Sequence, residues 1–138
     1  VLKGKHYLII GAVMTVVLVW LGNYYYNTSV HKHISITDII EIQTYRYNQQ
    51  VVVTSDKEKE RIVKGFNSIK SIKRQNENFL PACKIAQAII IKLKTGNIIQ
   101  IHSGYAVGAG FMINTDVKLY SGESTELEEI FTKLHFGM

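Results

Sequence analysis

Ala88-Ile-Ile-Ile-Lys-Leu-Lys-Thr-Gly-Asn-Ile-Ile-Gln-Ile101 is the stretch on which the fold turns. Ala88 to Ile91 is apolar at successive positions, hence on both faces of an extended chain, which suits a central strand. Thr95-Gly96-Asn97 is turn chemistry, and Ile98-Ile-Gln-Ile101 returns as a second strand, so this half begins as an antiparallel hairpin. Downstream, Ser103-Gly104 and Gly108-Ala109-Gly110 interrupt the pattern. Phe111-Met-Ile113 then reads as a third short strand and Val117 to Tyr120 as a further one. Ser124-Thr-Glu-Leu-Glu-Glu129 places a hydroxyl cap and acidic groups at the positive end of a helix dipole. Leu127, Ile130, Phe131 and Leu134 follow with helical spacing.

Upstream, Ile36 to Tyr45 is rich in β-branched residues and Val51 to Thr54 follows closely, which predicts a second hairpin. Ser55-Asp-Lys-Glu58 fits the capping-box pattern. Ile62, Phe66 and Ile69, flanked by Val63 and Ile72, form one apolar stripe opposite Lys57, Lys64 and Ser68, so a helix is expected from Ser55 to about Ser71. Lys73 to Asn78 reads as a polar connection. The expected order is β-β-α-β-β-β-(β)-α: an α+β domain over residues 34–138, with an antiparallel sheet and both helices on one face.

The 138 residues include 16 Lys+Arg against 11 Asp+Glu, one Cys and one Pro, with mean hydropathy near zero, which excludes a disordered, collagenous or disulfide-stapled chain. That mean hides two unlike parts, because residues 7–21 carry no charge. Lys3 and Lys5 precede Tyr7, Leu8, Ile9, Ile10, Val13, Val16, Val17, Leu18, Val19, Trp20 and Leu21, and uncharged residues run on through Tyr24, Tyr25 and Tyr26. Helix from Tyr7 to Tyr26 measures about 30 Å, the thickness of bilayer hydrocarbon, with Trp20 and the tyrosines at head-group depth. The expected organisation is a tail and transmembrane anchor over residues 1–26, a juxtamembrane linker over 27–33 and an extracytoplasmic domain over 34–138. A soluble buried helix would need a larger core than the remaining chain provides. A cleaved signal lacks a small-x-small site near Leu21-Gly22-Asn23, and Cys83 is too far away for lipid attachment. Lys3 and Lys5 favour a cytoplasmic N-terminus, Lys32 and Arg46 on the other side weigh against it, and the likeness to a signal sequence decides for an N-terminus in the cytoplasm and a domain outside the cell membrane.

Thr54-Ser-Asp56, Ile89-Ile-Ile-Lys-Leu-Lys-Thr-Gly96 and Leu119-Tyr-Ser-Gly-Glu-Ser-Thr125 resemble a pattern found in small membrane-anchored extracytoplasmic α+β domains of Gram-positive bacteria, most without assigned function. The resemblance implies surface display and carries no catalytic residues. Many members of that group are lipoproteins, and this chain has no lipid-attachment Cys beside its apolar segment.

Candidate chemistry is sparse. Cys83 and His102 are the pair from which a small thiol hydrolase would be built, a thiol needing a base beside it. The alternation of Ile98, Gln100 and His102 against Ile99 and Ile101 places His102 on the less buried face, solvated. His31-x-His33 offers two metal ligands where zinc needs three or four, and both histidines are read as juxtamembrane polar residues. Gly104-x-x-x-Gly108-x-Gly110 lacks the helix that a phosphate cradle requires. No cofactor or metal is expected.

Residues 57–74 are net +5 and residues 116–133 net −3, so Lys57, Lys64, Lys70, Lys73 and Arg74 form a candidate basic face for anionic lipid or an anionic envelope polymer. Nucleic acid is not expected, since Phe66 and Phe79 are the only aromatics between Lys57 and Lys94. The reading is a single-pass membrane protein displaying a non-enzymatic binding domain for an envelope protein or peptide, with immunity or exclusion as a narrower version. The alternative is an assembly subunit of a secretion, sporulation or transfer machine.

Overall fold

Seven antiparallel strands form one sheet in the order β2-β1-β4-β5-β6-β7-β3. The structure, a computed structural model, describes residues 2–46, 49–75, 87–103, 110–116 and 118–136. The chain divides into two units, Val1–Val30 and His31–Met138. The first unit is a helix, α1 (Leu2–Thr28), with no residue of its apolar span buried. It has no polar face and contains no proline, so nothing in its own chemistry interrupts the backbone ladder for 27 residues.

In the second unit a 3-10 turn (Ile36–Asp38) leads into β1 (Ile39–Arg46) and β2 (Gln49–Val52). Helix α2 (Asp56–Asn67) and strand β3 (Lys70–Arg74) follow. The chain then contributes β4 (Gln87–Leu93), β5 (Ile98–Ser103), β6 (Phe111–Thr115), β7 (Leu119–Glu123) and helix α3 (Thr125–Phe136). The expected α+β layout is what is found, an antiparallel sheet with two helices after the long apolar one.

The central hairpin forms as its sequence dictates, with Ala88 opposite His102 and Ile91 opposite Ile99. Paired residues share a face, so the register builds a row Ile89, Ile101, Ile113, Tyr120 across four strands, beside a second row Ile42, Ile91, Ile99. All seven are buried, and full burial of an aliphatic side chain stabilises by about 1.5–3 kcal/mol, which makes these rows the main adhesive of the domain. Phe131 of α3 stacks on Phe111 at 5.1 Å, next to the same rows. Helix α2 lies on that face too, with Ile62 and Phe66 turned inward.

The two helices meet where Gly65 faces Leu127, whose Cδ2 would lie 3.1 Å from a Cβ at position 65. Ser124 ties them: its hydroxyl donates to the Gly65 carbonyl at 2.9 Å and accepts from the Leu127 N–H at 3.3 Å. The Ser55 hydroxyl accepts from the Glu58 N–H at 3.4 Å, which is the serine half of the expected capping box.

Several boundaries differ from expectation, the second strand being Gln49–Val52 rather than Val51–Thr54 and the last Leu119–Glu123 rather than Val117–Tyr120. The first strand begins at Ile39, not Ile36, because residues 36–38 close a turn against Ser35, the Asp38 N–H reaching the Ser35 carbonyl at 3.0 Å. Helix α2 stops at Asn67 rather than Ser71, and Lys70–Arg74 is a strand on β7 rather than helix end and connection. The cause is Ile69, which leaves the helix stripe and drops onto Gly122. A Cβ at position 122 would overlap Ile69 Cγ2, so only glycine lets β3 reach the sheet here.

Gly122→Ala should therefore cost about 2–3 kcal/mol through overpacking. Ile69→Ala alone should cost about 2–4 kcal/mol, and the double variant less than the sum of the two. Urea unfolding of the four chains in one mild detergent checks this, and simple additivity would contradict the contact.

Candidate functional site

Among the described residues, a polar arrangement forms where the segment after α1 meets α2 and β7. Asn67, the last residue of α2, uses its side-chain amide as a strand would use its backbone. Its Oδ1 accepts from the Ile34 N–H at 2.8 Å and its Nδ2 donates to the Ile34 carbonyl at 2.8 Å. Both backbone groups of Ile34 are thereby satisfied by one side chain.

His31 is inserted three residues earlier. Its Nδ1 lies 2.7 Å from the Tyr120 hydroxyl, and its ring meets Phe66 edge-on at 4.7 Å and Tyr120 at 5.6 Å. Burial, and then the neighbouring His33, push the His31 pKa from 6.5 down to about 4, with the backbone at Phe66 and Asn67 acting the other way. Burial pushes the Tyr120 hydroxyl up. Both groups are neutral at pH 7, and we assign the bond as Tyr120 O–H donating to Nδ1. His31 is thus packed into the domain instead of standing as a juxtamembrane polar residue. The His31 and His33 rings lie 5.8 Å apart, and among the described residues no three His, Cys, Asp or Glu side chains converge as a metal site would require.

These contacts give the domain a pH dependence whose sign follows from linkage. Between pH 6.5 and about 4 the unfolded chain protonates His31 while the folded chain does not, so stability falls as pH falls through that window. Allowing for the partial exposure of the ring, the loss should be roughly 1–2 kcal/mol. His31→Gln should flatten that part of the profile, read as the difference in urea midpoint between pH 7 and pH 5 in native and variant chains. Equal pH dependence in the two chains would contradict it.

Beside the Asn67 clamp runs an open groove of about 590 Å³, lined by Ile34, Ile36 and Val63 with Ser35, Glu60, Lys64, Asn67 and Ser68 around them. Its size falls in the range of small-ligand and side-chain pockets. Apolar residues flanked by the exposed hydroxyls of Ser35 and Ser68 and the charged groups of Glu60 and Lys64 can take one apolar side chain of a peptide while bonding its backbone.

The expected basic face is distributed over two elements. Lys57 and Lys64 are exposed on α2, and Lys70, Lys73 and the half-buried Arg74 lie on β3. The opposite charges of the two helices pair with each other, Lys64 with Glu126 and Arg61 with Glu129, both at 2.9 Å. Each such surface pair stabilises by about 0–1 kcal/mol. The residues expected to form an anchor, Tyr7, Leu8, Ile9, Ile10, Val13, Val16, Val17, Leu18, Val19, Trp20, Leu21, Tyr24, Tyr25 and Tyr26, are all exposed along α1, a helix long and apolar enough to cross a membrane, with Trp20 stacked on Tyr24 at 6.0 Å.

His102 does sit on the sheet face opposite the isoleucine rows, but it is 4 % exposed, not solvated. Its cross-strand neighbours Ala88 and Met112 are buried as well, so this end of the second face is covered, and desolvation lowers the His102 pKa. Cys83 and the Gly104–Gly108 part of the glycine motif lie outside the described residues, so the proposed Cys83–His102 pair is not brought together by what is described here. Sequence reasoning missed the roles of Asn67 and Tyr120. Only the Tyr in Leu119-Tyr-Ser, an aromatic with a polar tip in an apolar strand, was a signal. No protein family, curated protein or solved structure matches the chain.

Proposed function

We propose that the chain is a single-pass membrane protein that holds its α+β domain outside the cytoplasmic membrane as a binding module for an envelope protein or peptide. One observation carries the reading. A 27-residue helix keeps all its large apolar side chains between Tyr7 and Tyr26 out of any protein core. In water that surface is unfavourable by about 25 cal/mol per Å², and hydrocarbon removes the penalty.

The domain fits display rather than mere anchoring, since the groove of Ile34, Ile36 and Val63 stands open beside residues that hold the connector in place. An incoming toxin peptide or a neighbouring envelope protein has the chemistry to fill it, which is the immunity or exclusion version of the reading.

A photo-crosslinking residue at the exposed Ser35 of the full chain, expressed in cells, tests this. A defined covalent adduct that diminishes when Val63→Asp is added supports binding in the groove. Adducts unchanged by Val63→Asp, or none above background, contradict it. Protease added to intact cells should digest the domain and spare α1; complete protection would overturn the orientation.

A further inference from the structure

The two edges of the sheet are built differently. Strand β3, one edge, carries Lys70, Lys73 and Arg74 in five residues, and its register slips around Ser71, which sits at φ 55 in the left-handed region. Charge and a bulge are the ordinary protections of an edge against pairing with another chain. Strand β2, the other edge, has neither. It reads Gln49-Gln-Val-Val52, no residue from 47 to 55 is charged, and all four strand residues are exposed, Val51 at 59 % and Val52 at 45 %. Among the described residues strand β2 pairs with β1 alone, so its outer backbone groups face away from the strands described.

We propose that β2 is the dimerisation edge of this protein, two copies pairing β2 to β2, antiparallel about a twofold axis, so that two seven-stranded sheets become one.

Three features select a second copy as the occupant. A twofold contact places each residue against or near its own image, which amide and isopropyl groups tolerate and charged groups do not; β2 contains only the former. Two chains of net charge +5 repel, and the charge-free stretch 47–55 lets them approach along β2 without setting like charges of that stretch face to face. The remaining possibility, β2 of one copy on β3 of the next, would grow an open filament, and the lysines and bulge of β3 oppose it.

A pair of four-residue strands buries much less than the roughly 1,200–2,000 Å² of a stable free complex. Pairing in dilute solution is accordingly weak. Copies held in one membrane gain the effective concentration that makes such a contact count. The strength of the dimer thus rests on the anchor reading, and the experiment separates the two.

The full chain carrying Cys83→Ser and a single cysteine at position 49, 50, 51 or 52 is placed in phosphatidylcholine–phosphatidylglycerol vesicles, floated, and oxidised. Crosslinked dimer should peak at one position of β2. It should exceed by at least about fivefold the yield from Lys73→Cys on the other edge, and Val51→Lys should cut it by about threefold to tenfold by setting like charges near each other.

Protein that floats but crosslinks no better from β2 than from position 73 overturns the dimer and leaves the anchor standing; protein that does not float overturns the anchor. Amide exchange of the unaltered chain in the same vesicles gives an independent reading. Protection across 49–52 should rise with protein-to-lipid ratio, and protection independent of that ratio would overturn the dimer.

Discussion

Arginine at both position 16 and position 19 should strip the chain from the membrane. Val16 and Val19 lie three residues apart near the middle of the uncharged run, on one side of α1, where neither can reach a head group without displacing the helix. Each arginine at the centre of a span costs about 2.5–3.5 kcal/mol, so the pair costs about 5–7 kcal/mol, comparable with the whole stability of a small domain. The native chain should stay with membranes after alkaline extraction, as should Val16→Leu with Val19→Leu, while the double arginine variant should appear in the supernatant or as aggregate. Retention of the double arginine chain in the extracted membranes would mean that something other than hydrocarbon holds it.

Phe66→Ala should be the most damaging single truncation in the domain. Phe66 is 1 % exposed and is the ring against which His31 packs, so its loss opens a cavity and releases the connector together. Removing a buried phenylalanine costs about 3–5 kcal/mol. With a urea slope of about 1.5 kcal/mol/M, the unfolding midpoint should fall by roughly 2–3 M. A second consequence is local: trypsin should cut after Lys32 faster, because the residue before it no longer has a packed seat. Phe66→Leu should lose less on both counts. A midpoint that moves by under about 0.5 M would contradict the burial.

The legible parts of this fold are those with local chemistry. The Ile-rich hairpin around Thr95-Gly96-Asn97, the Ser55 and Ser124 caps and the stripe of Ile62 and Phe66 all announce themselves within a dozen residues, and all form. Strand β3 does not, because Lys70-Ser-Ile-Lys-Arg74 is polar on its own terms and becomes a strand only through β7, some fifty residues later in the chain. His31 was illegible for the same reason: its partner Tyr120 is 89 residues away, and nothing beside His31 signals a packed environment. For His102 the alternation gave the correct face but not its burial, since period-two patterning says which side a residue takes and is silent on what covers that side.

The strand order has a consequence for synthesis. The segments made first, β2, β1 and β3, take outer places in the sheet, and those made last fill the space between β1 and β3. Until β4 emerges, β1 has only a four-residue hairpin partner, which is marginal in water, and β3 has no strand to join before β7. At ~5–20 residues per second the stretch from Arg74 to Glu123 takes roughly 2–10 s to translate. Throughout that interval the nascent chain lacks the strand that joins β3 to the rest of the sheet. It stays threadable, the state in which a polypeptide can pass through a translocation channel, and it locks only after its final strand has left the ribosome.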